Sequence, residues 1–484
     1  MDSVLGYKTP WEGVKDFFIG KRISIEHALG ERLRKTIALA VFSSDALSST
    51  AYATEAILLV LLAGGVAALK LSLPISLAIA ALMLVVGFSY FQTVHTYPNG
   101  GGSYVVSREN LGALPGLFAA GALLVDYVLT VSVSVSAGVA ALISAFPIVS
   151  PLRIELVVAI IFFIGWMNLR GVKESGTFFA IPTYSFVFAV FSLLAAGFYK
   201  YLTGQIVPLP APAEALALTG PITLFLILRA FAGGCTALTG IEAISNGIPA
   251  FKPPESENAG KTLIAMVLLL SSMFLGISFL AKAYGIVALE GANTTVLSQI
   301  GGAVFGKGLF FYFMQLTTFL ILSVAANTSF ADFPRLSSLA ARDGYLPSKL
   351  AYVGRRLVFS NGIILLTFAA SLVAIAFGAR EQRMLPLYAV GVFLSFTLSQ
   401  LGMVIHWVRE RKKLPIFERE KFRKSAEFAF HLLVNSTGAL VTFVVFLILL
   451  VTKFAQGAWI AFVAIPSLVG VFLWTKSARR KVFY

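Results

Sequence analysis

The sequence is short of charged residues, which make up only 13% of its 484 positions, whereas 58% of the positions are hydrophobic. A soluble domain carries about 25% charged and about 45–50% apolar residues. The composition therefore excludes an ordinary soluble protein. It also excludes a disordered chain, because so apolar a sequence would not stay solvated.

Cysteine and histidine are scarce too. The single cysteine, Cys235, excludes a disulfide framework and a cysteine-rich metal site. The four histidines are far apart in the sequence, with no HExxH-type spacing, and no nucleophile motif is convincing. We therefore expect neither an enzyme nor a bound cofactor.

Long apolar runs fill most of the chain instead. About 20 apolar residues cross a bilayer as a helix, so the runs predict an all-α polytopic membrane protein. We expect an amphipathic cytoplasmic segment at 1–35, a transporter-sized region at 36–475 and a short tail at 476–484. The twelve predicted spans are 36–63, 73–95, 113–145, 153–169, 176–199, 220–248, 262–287, 308–330, 359–378, 384–407, 431–452 and 457–475.

The net charge of +15 comes from the loops between these spans. If the N-terminus is cytoplasmic, 29 Lys and Arg residues lie on the inner side, seven lie on the outer side and two lie within spans. The positive-inside rule then places both termini in the cytoplasm. The basic charge thus predicts orientation in a cytoplasmic membrane rather than a nucleic-acid partner.

Ionisable residues inside the predicted spans are the candidates for function, because each is costly in hydrocarbon unless it is compensated. For Glu55, Arg229 and Lys282, a purely structural role in an ion pair explains the charge as well as a functional role does. For the other three acids, a structural ion pair is the weaker explanation. The six candidates are Asp45, Glu55, Asp126, Arg229, Glu242 and Lys282.

Spans 1 and 6 carry polar or glycine-rich interruptions. Span 1 reads FSSDALSSTAYATEA, with Asp45 and Tyr52 on one helix face, and span 6 reads FAGGCTALTGIEAISNGIP, with Thr239 and Glu242 close together. Tight packing of small residues is the weaker explanation in span 1, because a carboxylate sits among them. Broken helices at equivalent positions of two five-span halves, 36–199 and 220–407, indicate a transporter with inverted repeats and a midplane site.

Span 3 places one carboxylate and two hydroxyls along one helix face: Asp126, Thr130 and Ser134, at i, i+4 and i+8. Oxygen ligands replace the hydration shell of an alkali cation. Hydrogen bonds from each hydroxyl back to the carbonyl four residues earlier are the alternative. The common stripe favours a cation site.

Several segments together resemble the bacterial KimA-type potassium–proton symporters, a group in the KUP branch of the amino acid–polyamine–organocation superfamily. The resemblance covers roughly residues 15–475 and implies a LeuT-type 5+5 inverted repeat, with spans 11 and 12 (431–475) peripheral. It rests on SSDALSSTAYATEAIL, YPNGGGSYVVSRENLG, LVDYVLTVSVSVSAG, GCTALTGIEAISNGIPAFK, AANTSFADFPRLSSLAARDGYLP and LYAVGVFLSFTLSQLGM.

The resemblance implies import of K⁺ coupled to H⁺. Within such a transporter we expect K⁺ to be held chiefly by Asp45, Asp126 and Thr130, and we expect Glu242 to carry the coupling proton, because burial and nearby like charge favour a protonated carboxyl. Tyr388 is added by the resemblance alone. The implied cation ligands are Asp45, Tyr52, Asp126, Thr130, Ser134, Thr239, Glu242 and Tyr388.

KimA-type symporters continue into a sizeable cytoplasmic domain that mediates dimerisation, whereas this chain ends at Tyr484. We therefore expect any homodimer to form without that domain, and control by a cyclic dinucleotide stays open.

Two other functions remain as alternatives. The first is a proton-coupled permease for amino acids or polyamines of the same superfamily, although three acids would repel a substrate carboxylate. The second is a passive channel, which two broken helices in symmetric halves favour less than they favour a carrier.

Overall fold

The computed structural model describes residues 32–170, 176–352, 359–413, 426–454 and 457–482. The predicted amphipathic segment at 1–35 lies almost wholly outside these residues. The described chain is helical, and the extended pairing within it is one isolated bridge, in which Leu33 accompanies Phe251. The all-α prediction is thereby confirmed.

The helices follow the apolar runs of the sequence. They are α1 Lys35–Ser48, α2 Thr50–Leu61, α3 Ser72–Thr96, α4 Gly102–Leu111, α5 Ala113–Ala145, α6 Arg153–Leu169, α7 Gly176–Leu202, α8 Ala213–Leu216, α9 Leu224–Gly234, α10 Ala243–Asn246, α11 Glu255–Ala283, α12 Val296–Phe305, α13 Leu309–Arg342, α14 Ser360–Ala376, α15 Glu381–Lys413, α16 Ala426–Lys453 and α17 Ala458–Val482.

Among the described residues, eleven helical segments are long and apolar enough to cross a membrane. The predicted ninth span is the short helix α14, whose 17 residues stand at the lower limit of a crossing helix. The count of twelve therefore depends on α14. Span 1 comprises α1 and α2, and span 6 comprises α9 and α10.

Burial separates central from peripheral spans. The apolar windows of span 1 and of span 3 (α5) are 89% and 83% buried, whereas that of span 4 (α6) is 22% buried and those of spans 11 and 12 (α16 and α17) are each 28% buried. Span 3 packs against spans 8 and 10 (α13 and α15), and span 1 packs against span 6. The two helices richest in polar candidates therefore occupy the centre of the bundle.

Candidate functional site

Span 1 is interrupted at Ser49, between α1 and α2, but its backbone stays helical there (φ −60°, ψ −24°). Its hydroxyls bond back to the helix. Ser44, Ser48, Ser49 and Thr50 each donate to the carbonyl three residues earlier, at 2.6–3.1 Å. Ser49 Oγ also lies 3.2 Å from the carbonyl of Ala237 in span 6. The polar run therefore anchors span 1 to span 6 without unwinding its backbone at Ser49.

Span 6 unwinds over a longer stretch. After the short 3₁₀ turn Cys235–Leu238, Thr239 is extended (φ −62°, ψ 147°) and Gly240 has a φ of +79°. A Cβ on Gly240 would lie 2.7 Å from Asp45 Oδ2 and 2.8 Å from the amide nitrogen of Ala46. Only glycine combines this backbone conformation with so close an approach. The unwound segment of span 6 thus lies directly against the carboxylate of span 1.

Three buried carboxylates face this region. Asp45, Asp126 and Glu242 are 5%, 2% and 3% exposed, and they lie close enough to one another to interact electrostatically. Each has one oxygen without a hydrogen-bond partner in the described part of the chain: Asp45 Oδ1, Asp126 Oδ1 and Glu242 Oε2. A buried carboxylate without a partner is strongly destabilising, so the cluster needs a cation or a proton.

Hydroxyl groups complete the same region. The buried hydroxyls of Tyr52, Ser134 and Tyr388 have no hydrogen-bond partner among the described residues. Tyr52 lies beside the side chains of Thr239 and Tyr388, and Tyr388 lies beside Thr130. Thr239 donates its hydroxyl proton to a backbone carbonyl at 2.9 Å, which leaves its lone pairs free to accept. Spans 1, 3, 6 and 10 therefore each contribute oxygen atoms to one buried region.

The three acids do not converge on a single point. In the residues that the structure describes, no three His, Cys, Asp or Glu side chains are grouped closely enough to hold a metal ion. A cation in this region would therefore combine carboxylate, hydroxyl and backbone carbonyl oxygens, which is the ligand set of a weakly held alkali cation.

Glu55 belongs to a different environment, nearer the end of span 1. Its Oε2 accepts from the backbone amide of Val296 at 2.9 Å, and its Oε1 accepts from Gln382 Nε2 at 2.5 Å. The neighbouring Glu381 lies 3.9 Å from Arg153 Nη1. Both Glu55 oxygens therefore accept hydrogen bonds, and no ion pair of Glu55 is found among the described residues, so hydrogen bonding rather than the ion pairing considered above holds this acid.

The two basic candidates also lie away from the buried acids. Lys282 is exposed in the last turn of α11. Arg229 is half-buried in α9 and lines a separate cavity between spans 1, 6, 10 and 11. Neither residue neutralises the central acids.

The structure adds a buried acid that the sequence reasoning missed. Asp332 is 4% exposed in α13 and interacts electrostatically with Asp45. Its Oδ1 lies 3.5 Å from Arg335 Nη1, which donates to the backbone carbonyl of Asn246 at 3.2 Å. The predicted span 8 ended at 330, but α13 continues through Pro334 to Arg342. The sequence does contain a signal for this acid, because Asp332 is followed three residues later by Arg335 just beyond the apolar run.

The glycine run between spans 2 and 3 packs against the end of span 6. A Cβ on Gly102 would lie 2.0 Å from Asn246 Oδ1, and one on Gly100 would lie 3.0 Å from the carbonyl of Asn246. Asn246 Nδ2 donates to the hydroxyl of Tyr127 at 3.0 Å. With Arg335, these contacts cover the buried acids on the side of the glycine run.

The short helix α4 after the glycine run is fixed to the end of α13. Tyr104 donates its hydroxyl proton to Asp343 Oδ2 at 2.5 Å, and Arg108 forms an ion pair with the same oxygen. Burial, together with this hydrogen bond to a carboxylate, raises the pKa of Tyr104. Tyr104 therefore stays a proton donor at physiological pH, and the contact ties the loop to span 8.

A bundle of membrane-crossing helices, with unwound backbone and unpaired acids buried at its centre, defines a membrane transporter. The comparisons with known proteins agree with this class. A family model described as amino acid permease matches residues 35–474. The chain therefore belongs to the amino acid permease family, whose members are transporters and not enzymes.

Potassium transporter KimA of Bacillus subtilis (strain 168) is 45% identical over 470 residues, which are 96% of this chain and 74% of that protein. Among solved structures, two mutants of a manganese transporter from Eremococcus coleocola align with 97% of this chain and 99% of theirs. Their sequence identity to this chain is 12%, and the TM-scores are 0.44 and 0.41.

Proposed function

We propose that this chain is a secondary active transporter that imports K⁺ together with H⁺. The observation that carries the proposal is the set of unpaired buried oxygens on Asp45, Asp126 and Glu242. Three such acids cannot all stay ionised without compensation. One bound K⁺ and one bound proton would neutralise two of them.

The proposed K⁺ site lies between spans 1, 3, 6 and 10. Asp45, Asp126 and Thr130 are its principal ligands, because they join two carboxylates and a hydroxyl across spans 1 and 3. The remaining ligands are the hydroxyl oxygens of Tyr52, Ser134, Thr239 and Tyr388 and the carboxylate of Glu242. The unwound backbone of span 6 at Gly240 lies directly against Asp45.

Glu242 is the proposed proton carrier. It stands at the start of α10, directly after the unwound segment, and its Oε2 is buried without a partner. It also interacts electrostatically with Asp45 and Asp126. K⁺ bound at the aspartates and a proton on Glu242 together neutralise two of the three buried charges, so movement of the two ions is coupled through one cluster.

The Bacillus subtilis relative supports K⁺ as the transported ion, since that protein is a potassium transporter and shares 45% identity with nearly the whole chain. We propose the same cargo here. The loop charges support an orientation in the bacterial cytoplasmic membrane with both termini inside. A homodimer is compatible with this proposal and is not required by it.

The experiment that tests the proposal is K⁺ uptake into liposomes containing the purified chain, with an imposed inward proton gradient. Wild type and Asp126→Asn are compared, and Glu214→Gln serves as the control because Glu214 is an exposed acid far from the cluster. We expect uptake by the wild type and by the control only, and collapse of this uptake on addition of a protonophore. Equal uptake by Asp126→Asn would overturn the site. Uptake that merely follows voltage would indicate a channel.

A second candidate is a proton-coupled permease for amino acids or polyamines, which the description of the matching family model favours. A cationic amine could occupy an acidic cluster, whereas a substrate carboxylate would be repelled by it. Parallel uptake of radiolabelled Rb⁺, arginine and putrescine separates the candidates. Accumulation of arginine or putrescine without Rb⁺ would replace the first proposal with this one.

A further inference from the structure

A cavity of about 570 Å³ lies between the latter half of span 1, the first half of span 6, the start of span 10 and the end of span 11. Its walls are largely apolar, and they include Leu59, Val60, Phe377, Leu385 and Leu449. None of the eight proposed ion ligands lines it. The cavity is therefore separate from the acidic cluster, and the predicted topology places it toward the outer leaflet.

Three basic side chains line this apolar cavity, against one acid. They are Arg229, Arg383 and Lys453, and the acid is the exposed Glu290. Lys453 is only 7% exposed, and Arg229 Nε is buried without a hydrogen-bond partner. Within the described ranges no ion pair involves Arg229, Arg383 or Lys453. A buried cation without a partner is as costly as a buried anion.

The charge of this cavity makes it unsuitable as an entrance for K⁺. Arg229 and Lys453 lie close enough together to repel each other, and a cation entering between them would meet the same repulsion. An anion in the cavity would instead neutralise both. The chemistry therefore calls for a ligand with a negative group and an apolar portion.

We propose that this cavity binds an anionic phospholipid, with the phosphate between Arg229 and Lys453 and an acyl chain along the apolar wall. Lys453 is the last residue of α16, at the depth where long basic side chains meet headgroups. Span 11 faces the bilayer close by, since Val451 is 67% exposed and Leu447 is 43% exposed. The negative charge of the headgroup complements the basic lining, and an acyl chain matches the apolar wall.

The test measures lipid binding by the purified full chain in detergent, using native mass spectrometry with added phosphatidylglycerol or phosphatidylcholine. We expect the wild type to prefer phosphatidylglycerol. Arg229→Gln and Lys453→Gln should each weaken its binding about fivefold, and the double variant about 25-fold, since a basic residue near an anionic lipid contributes about 1 kcal/mol. Lys282→Gln is the control, because it removes an exposed lysine at the end of span 7.

Three outcomes would overturn the proposal. The first is unchanged phosphatidylglycerol binding by the double variant, and the second is equal binding of phosphatidylcholine by the wild type. The third is displacement of the lipid by millimolar inorganic phosphate, which would indicate a site for a free anion. Thermal unfolding gives a second readout: phosphatidylglycerol should raise the melting temperature of the wild type and not of the double variant. If the double variant does not fold, the single variants carry the same test.

Discussion

The molecule buries acidic side chains in two regions that solve the same electrostatic problem differently. At Glu55, both carboxylate oxygens accept hydrogen bonds from the protein, from Val296 N and Gln382 Nε2. At the centre of the bundle, Asp45 and Asp126 each keep an oxygen without a partner. Burial of an acid alone therefore does not mark a transport site. The acids that mark one are those whose charge only a bound cation or proton can neutralise.

The largest effect should follow neutralisation of a central acid. Asp45→Asn removes a charge about 4 Å from the proposed K⁺, which is about 4 kcal/mol at an effective dielectric constant of about 20. We expect K⁺ affinity to fall on the order of a thousandfold, measured as Rb⁺ uptake into liposomes. The melting temperature should stay the same or rise, because a neutral amide replaces a buried charge that had no partner. Retained affinity would mean that Asp45 is compensated within the protein, as Glu55 is.

Glu242→Gln should uncouple K⁺ transport from H⁺ transport. The variant mimics the protonated acid permanently, so we expect K⁺ to exchange across the membrane without a response to an imposed proton gradient. The measurement is K⁺ uptake into liposomes with and without an inward proton gradient, and Glu214→Gln is the control. Full stimulation by the proton gradient in Glu242→Gln would remove Glu242 from the coupling role.

Glu55→Ala should show the opposite pattern, a loss of stability with transport kept. It leaves the amide of Val296 and the side chain of Gln382 without their acceptor, and unsatisfied buried polar groups cost about 1–3 kcal/mol each. We expect a lower melting temperature and, for each folded molecule, K⁺ uptake close to wild type. A stable variant that cannot transport would place Glu55 with the central acids and erase the distinction between the two regions.

The sequence predicted the central region better than it predicted the outer one. Asp45, Asp126 and Glu242 stand out because each interrupts an apolar run. The role of Glu55 could not be read in this way, since its partners lie 241 and 327 residues away. Asp332 was missed because the apolar run ends before the helix does. That the eight selected residues bind K⁺ stays a prediction.

The two interrupted helices were predicted from similar signals but differ in the structure. Span 6 unwinds around Gly240, whose positive φ a glycine permits. Span 1 keeps helical backbone at Ser49, and its Ser and Thr hydroxyls bond back to carbonyls one turn earlier. The number of hydroxyl residues in a span does not predict whether its backbone unwinds. In this protein the span that unwinds is the one with a glycine at the closest approach of the two spans.

The smallest expected effect is that of removing a single hydroxyl group. Tyr388 and Tyr284 are both 1% exposed, and both hydroxyls lack a hydrogen-bond partner among the described residues. Tyr388 lies beside Tyr52 and Thr130, whereas Tyr284 follows α11, outside the group of proposed ligands. One lost ligand oxygen is worth about 1 kcal/mol, so Tyr388→Phe should weaken K⁺ affinity about fivefold and Tyr284→Phe should leave it unchanged. Equal effects in the concentration dependence of Rb⁺ uptake would mean that an unpaired buried hydroxyl carries no information about the ion path, and only the carboxylates would then remain to define it.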